Sequence, residues 1–173
     1  MEDFSVSWVP MKKLVFLAGP AGIGKSTQAK HYVESHPEES CHIVSADETR
    51  KRMYGSYLNF PPNKNMVLVY EEMWKEANGY LQNETSDVTV IFDTTMLINK
   101  WRNLFLDMVK GYDRAELYLL KLHDWSLCLK RNKMRPEVKW VPEEVILSMI
   151  ANYEEPDEKT KNRFDLIETV YLD

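Results

Sequence analysis

From Gly19 to Ser26 the chain reads GPAGIGKS, and no other stretch restricts the possible folds so far. Every fixed position of G-x-x-x-x-G-K-[ST] is filled. Such a loop works only between a strand and a helix. Its glycines let the backbone curl so that amides point inward at phosphate oxygens, and the helix N-terminus adds partial positive charge. The flanks supply both elements. Residues 13–18 form a continuous apolar run of strand length, and a polar helix is predicted after the loop through about His36. The residues predicted to cradle a nucleoside triphosphate are Gly19, Pro20, Ala21, Gly22, Ile23, Gly24, Lys25, Ser26 and Thr27. Lys25 would reach the β- and γ-phosphates of ATP, and the Ser26 hydroxyl would ligate Mg²⁺.

The rest of the chain repeats the strand–helix alternation. Further strands are predicted at residues 42–44, 88–92, 117–122 and 166–172. Helices are predicted over 46–54, 64–81, 125–135 and from Pro142 onward, with another capped by Asn99 and stopped at Gly111. Residues 54–63 read as a loop from their Gly, Asn and Pro content. Five apolar strands alternating with helices imply an α/β fold with a parallel sheet, and the phosphate loop after the first strand makes it a P-loop nucleoside-triphosphate-binding architecture. It has three layers, a five-stranded parallel sheet and helices on both faces.

At 173 residues the chain suits one domain, taken as residues 11–173 behind an extension over 1–10. Its 44% hydrophobic content supports a real core. The net charge of −5 argues against a surface that is basic throughout but permits a local basic channel. Cys41 and Cys128 are isolated, with no CxxC and no metal-ligand spacing, which predicts a reduced, cytoplasmic protein. No apolar run approaches a membrane span.

Three further stretches carry chemistry. Asp93 ends the apolar run VTVIF, where an acid near the phosphate loop can organise Mg²⁺ or orient substrate; an ordinary cap of the turn at Thr94 is the alternative. SADETR, from Ser45 to Arg50, follows a strand. Ser45 and Glu48 fit a capping box, which leaves Asp47 free to take a proton and puts Arg50 on the same face. KRNKMRPEVK, residues 130–139, holds five basic residues against one acid. Arg131 and Arg135 stand four apart and can share a helix face, and Pro136 opens a flexible stretch to Pro142. A basic lid over about 130–141 follows, with both arginines on the triphosphate. Trp140 reads as a packing residue. Tyr54, Tyr57 and Phe60 lie beside the proposed base; they either stack a nucleobase or plug the end of the sheet.

GPAGIGKSTQA, SADETR, FDTT and KRNKMRPEVKWVP, in this order, resemble the kinase domain of phage polynucleotide 5′-kinase and its relatives in bacterial RNA repair, over about residues 11–155. The resemblance implies a five-stranded P-loop kinase. It makes Lys25 and Ser26 the phosphate-loop pair and Asp47 the general base for the attacking 5′-hydroxyl. Arg50 becomes the arginine on the acceptor phosphate, Asp93 the strand-end acid, and Arg135, with Arg131 beside it, the lid arginine on the donor phosphates. Zeta-type toxins, antibiotic phosphotransferases and metabolite kinases use the same scaffold. The acceptor is therefore read as a polynucleotide 5′-hydroxyl or, alternatively, a small molecule. A nucleotide-binding regulator without chemistry is the third reading, and the joint presence of Asp47, Arg50 and Arg135 argues against it.

Overall fold

The computed structural model describes residues 9–173. The extension expected over 1–10 therefore lies, apart from Val9 and Pro10, outside the described residues. Met11 is already tied to the sheet: its amide donates to Asp87 Oδ1 at 2.7 Å.

The five strands are β1 (Lys12–Ala18), β2 (Ser40–Ser45), β3 (Val88–Asp93), β4 (Arg114–Lys121) and β5 (Leu166–Tyr171), in the order β2-β3-β1-β4-β5. Every pairing is parallel. A parallel sheet is covered on both faces, so its central strands are apolar without alternation. β3 accordingly is buried at every position. Along β1, Leu14, Phe16 and Ala18 enter one core while Val15 and Leu17 enter the other. The first core is closed by α3 (Val67–Asn83) and α4 (Asn99–Met108) through Met73, Trp74 and Phe105. The second is closed by α1 (Lys25–Ser35), α5 (Ser126–Met134) and α6 (Glu143–Ala151) through Ala29, Cys128 and Ile146. Phe105 meets Phe16, Phe92, Tyr70 and Trp74 edge-on, at centroid separations of 5.2 to 6.3 Å. Truncating such a ring to Ala costs about 3–5 kcal/mol.

The register sets Ser45, Asp93 and Leu17 side by side at the C-terminal ends of β2, β3 and β1. The chain leaves β1 toward β2 and β3, then crosses back to β4 on the other side. The crevice above these strand ends is thus the switch point at which open α/β sheets bind ligands.

Some boundaries differ from expectation for local reasons. α3 starts at Val67 because Pro62–Lys64 forms a 3₁₀ turn, with Asn63 and Lys64 at φ 57° and 53°. β4 starts at Arg114, ahead of its apolar run. Glu116 is matched there by Arg114 Nε and the Tyr118 hydroxyl, both at 2.8 Å, so the charge is carried within the strand. Asn99 does not cap α4; its own amide is met by Glu154 Oε2 at 2.9 Å. A short α7 (Glu158–Lys161), capped by Asp157, was not anticipated. Among the described residues no helix is long and apolar enough to cross a membrane, and both cysteines are free thiols.

Candidate active site

The phosphate loop leaves β1 at Gly19, whose amide donates to Thr95 O at 2.9 Å, fixing the loop to the end of β3. Gly22 has φ +83° and rests on α5 so closely that a Cβ would lie 2.3 Å from Cys128 O. Gly24, at φ +114°, precedes the first turn of α1, whose first residues are Lys25 and Ser26. Their amides are therefore among those a helix leaves unpaired. Lys25 Nζ donates to Gly19 O at 2.8 Å and Pro20 O at 2.9 Å, so the ammonium arches over the loop. Ser26 Oγ donates to Asp93 Oδ2 at 2.7 Å. Asp93, 8% exposed, is thus joined to the phosphate loop and does not simply cap its own turn.

SADETR forms the start of α2 (Ala46–Tyr54). Ser45 Oγ accepts from Glu48 N at 3.3 Å, but the reciprocal half of the capping box is missing. Glu48 turns outward, accepting from the Tyr57 hydroxyl, with Lys139 Nζ 3.5 Å away. Asp47 keeps its carboxylate free of capping, as expected, and the side chain is 46% exposed. Arg50 NH1 lies 3.4 Å from Asp47 Oδ1, and its NH2 donates to Tyr57 O at 2.7 Å. Phe60 lies under the Arg50 guanidinium at 4.3 Å. The loop after α2 thus holds the acid–arginine pair in place.

The two lid arginines part company. α5 ends at Met134, and Arg135, which precedes Pro136, is extended at φ −77°, ψ 161°. A residue before proline is pushed out of the helical region, so the shared face expected for the pair is lost. Arg131 turns back: NH1 donates to Ile23 O at 3.0 Å and NH2 to Leu172 O at 2.7 Å. It braces the phosphate loop against the end of β5. Arg135 enters the crevice, where NH2 donates to Asn132 Oδ1 at 2.7 Å. The segment expected to be flexible contains a 3₁₀ turn (Glu137–Lys139) and is tied back to α5. Trp140 packs on the lid itself, with Nε1 donating to Arg135 O at 2.8 Å and Lys133 Nζ 4.1 Å from its ring.

Electrostatics bring the pieces together. Burial lowers the Lys25 pKa to about 8, opposed first by Asp93 and then by Asp47. Burial also lowers that of Arg135, opposed by the same two acids. Two cations and two carboxylates therefore share one crevice, with the Ser26 hydroxyl on Asp93. Arg50 Nε and Arg135 Nε are both buried without a protein partner. Orphaned, buried guanidinium donors are a receptacle for anionic oxygen. The hydroxyl and carboxylate of Ser26 and Asp93 are hard oxygen donors, the set Mg²⁺ prefers. The sequence pattern gave no role to Asn132 or Arg102, and it did not foresee that Tyr57 and Lys139 meet on Glu48. Arg102 is fully buried and donates to Met96 O, Leu97 O, Asn99 Oδ1 and Glu154 O. Only Asn132 had a local signal, standing three residues before Arg135.

Fold and site together define a P-loop nucleotide-binding protein of the kinase type. The protein-family profile described as AAA domain matches residues 14–156, and the chain belongs to that family. No curated protein matches it. Among solved structures it is similar to a fungal RNA kinase, with 13% identity, a TM-score of 0.65 and coverage of 95% of this chain and 76% of that one. It is similar to Kti12 of Chaetomium thermophilum bound to ADP-AlF3, with 15% identity, a TM-score of 0.65 and coverage of 92% and 89%. It is also similar to a gluconokinase of Sinorhizobium meliloti 1021, with 13% identity, a TM-score of 0.60 and coverage of 94% and 84%. At these identities what is shared is the fold.

Proposed function

We propose that the protein transfers the γ-phosphoryl group of ATP to the 5′-hydroxyl of a polynucleotide. The observation that carries the choice of acceptor is the ring-and-cation surface beside Asp47. Tyr57 lies 4.7 Å from Lys51 Nζ and 4.6 Å from Lys139 Nζ. Phe60 meets Arg50 at 4.3 Å and Lys64 at 5.8 Å, and Trp140 meets Lys133 at 4.1 Å. Aromatic faces interleaved with cations suit a single strand, whose bases stack while its phosphates are neutralised. That this surface is basic in a chain of net charge −5 makes it a local path and not a general property.

In the proposed step the acceptor oxygen attacks the γ-phosphorus, forming a new P–O bond as the bond to the β-phosphate oxygen breaks. Asp47 accepts the hydroxyl proton, and ADP departs. Arg50 holds the acceptor's own phosphate, and its contacts with Asp47, Tyr57 and Phe60 fix its direction. Lys25 and Arg135 carry the charge on the moving phosphoryl group. Ser26 and Asp93 would hold Mg²⁺, which supplies charge neutralisation of the phosphate oxygens. Arg131 acts on the loop's backbone, a role different from direct donor-phosphate contact.

A small-molecule acceptor is the second reading, favoured by the likeness to a gluconokinase and by the acidic chain. The test is transfer of label from γ-labelled ATP to a 5′-hydroxyl oligonucleotide. Label on the oligonucleotide supports the first reading. None there, with turnover on a nucleoside or sugar panel, overturns it. Asp47→Ala is expected to lower transfer by about 10²- to 10⁴-fold with nucleotide binding intact. Equal loss of both would make Asp47 structural.

A further inference from the structure

Asn132 occupies a position that the reaction above does not use. It is 2% exposed on α5, and both the nitrogen and the oxygen of its amide are hydrogen-bonded. Nδ2 donates to Val141 O at 2.9 Å, and Oδ1 accepts from Val141 N at 3.0 Å. This side chain therefore pairs with a residue's backbone as a neighbouring strand would. It closes residues 132–141 into a loop. Oδ1 has a second lone pair, and Arg135 NH2 donates to it at 2.7 Å. No other protein atom among the described residues accepts a hydrogen bond from the Arg135 guanidinium, and its Nε is buried and unpaired.

We propose that Asn132 is the positioning residue of the transfer reaction: it locks the lid loop and aims Arg135 at the transferred phosphoryl group. This inference rests on the kinase reading. The physical case is one of geometry. Arg135 lies beyond the end of α5, where no helical hydrogen bond constrains its side chain. Its buried guanidinium sits among the charges of Lys25, Asp47 and Asp93, and without an anchor it can swing onto either carboxylate. An amide locked to Val141 on both its atoms cannot rotate, so its oxygen is a fixed acceptor. A fixed acceptor spares the guanidinium reorganisation as charge develops on the phosphoryl oxygens.

The test uses two near-isosteric variants in the full chain. Asn132→Leu removes both functions, whereas Asn132→Asp keeps the acceptor for Arg135. Asn132→Leu is expected to lower kcat about 10- to 100-fold with KM for ATP changed little, since misplacing a catalytic group by an ångström has that effect. Asn132→Asp, which still accepts from Arg135 and Val141 N but no longer donates to Val141 O, should recover part of kcat. In an Arg135→Ala background, Asn132→Leu should lower kcat no further, because both changes remove one interaction. Equal loss in the Leu and Asp variants, or multiplicative loss in the double variant, would overturn the proposal. A second readout does not depend on any acceptor: trypsin should cut after Lys133 or Lys139 faster in Asn132→Leu than in wild type or Arg135→Ala, the Arg135–Pro136 bond being resistant to it in any case. Unchanged cleavage would remove the lid-locking half. Were wild type to phosphorylate no oligonucleotide, the polynucleotide reading would fall while this cleavage test still decided the role of Asn132.

Discussion

Nucleotide binding should draw a proton from solvent, and Lys25 is the group that takes it up. In the free protein the ammonium is pushed down to about 8 by burial, which Asp93 and Asp47 only partly offset. A bound di- or triphosphate adds several negative charges beside the same nitrogen and returns it to the fully protonated state. Binding then takes up the fraction of protons missing beforehand: about 0.5 at about pH 8, about 0.9 at about pH 9 and about 0.1 at about pH 7. Above about pH 8 the dissociation constant should rise tenfold per pH unit. The folding linkage has the matching sign. Between about 8 and the ordinary lysine value the unfolded chain holds more protons, so the destabilisation from this buried charge, full at lower pH, fades as pH rises through that window. The assay is calorimetric titration with MgADP, alkaline of the nucleotide's last ionisation, in two buffers of different ionisation enthalpy. Lys25→Met is the control and should show no uptake. Uptake absent in wild type, or equal in Lys25→Met, would refute the depressed ammonium.

Gly22→Ala should destabilise the fold by at least about 2 kcal/mol, because the residue has φ +83° and its new methyl group would lie 2.3 Å from Cys128 O; an unchanged thermal midpoint would contradict it. Arg131→Ala should weaken MgADP binding about 10- to 100-fold through loss of two charged hydrogen bonds. If Arg131 touched phosphate directly, the penalty would instead be larger for ATP than for ADP, which binding titrations resolve. Phe60→Ala should raise KM for a 5′-hydroxyl oligonucleotide about 5- to 100-fold, the range for losing one stacked base, and leave KM for ATP unaltered. Equal KM changes for both substrates would remove the stacking role.

What the sequence disclosed, and what it hid, follows from how far apart the cooperating residues lie. The phosphate loop was legible because its residues are consecutive and its two flanking elements are local. Asp47 and Arg50 were legible for the same reason, being one turn apart on one helix start. Asp93 could be assigned to a strand end, but its bond to Ser26 depends on the order β2-β3-β1-β4-β5, which slots β3 beside β1. No local pattern specifies that order. The lid shows the opposite failure, where a correct local rule was applied one residue too far. Arg131 and Arg135 share a face only if the helix continues, yet Pro136 forces Arg135 to be extended, and the sequence already contained that instruction. Once the helix ends at Met134, two arginines that look equivalent must do different work. One faces back to Ile23 and Leu172, and the other goes forward into the crevice. The residue that ties down the second of them, Asn132, carries no charge to mark it in a run of cations. Its importance comes from a bidentate contact with Val141, nine residues away. Charge patterning locates an anion site, but the neutral side chains that lock the charges in place emerge only when the backbone they bind is in position.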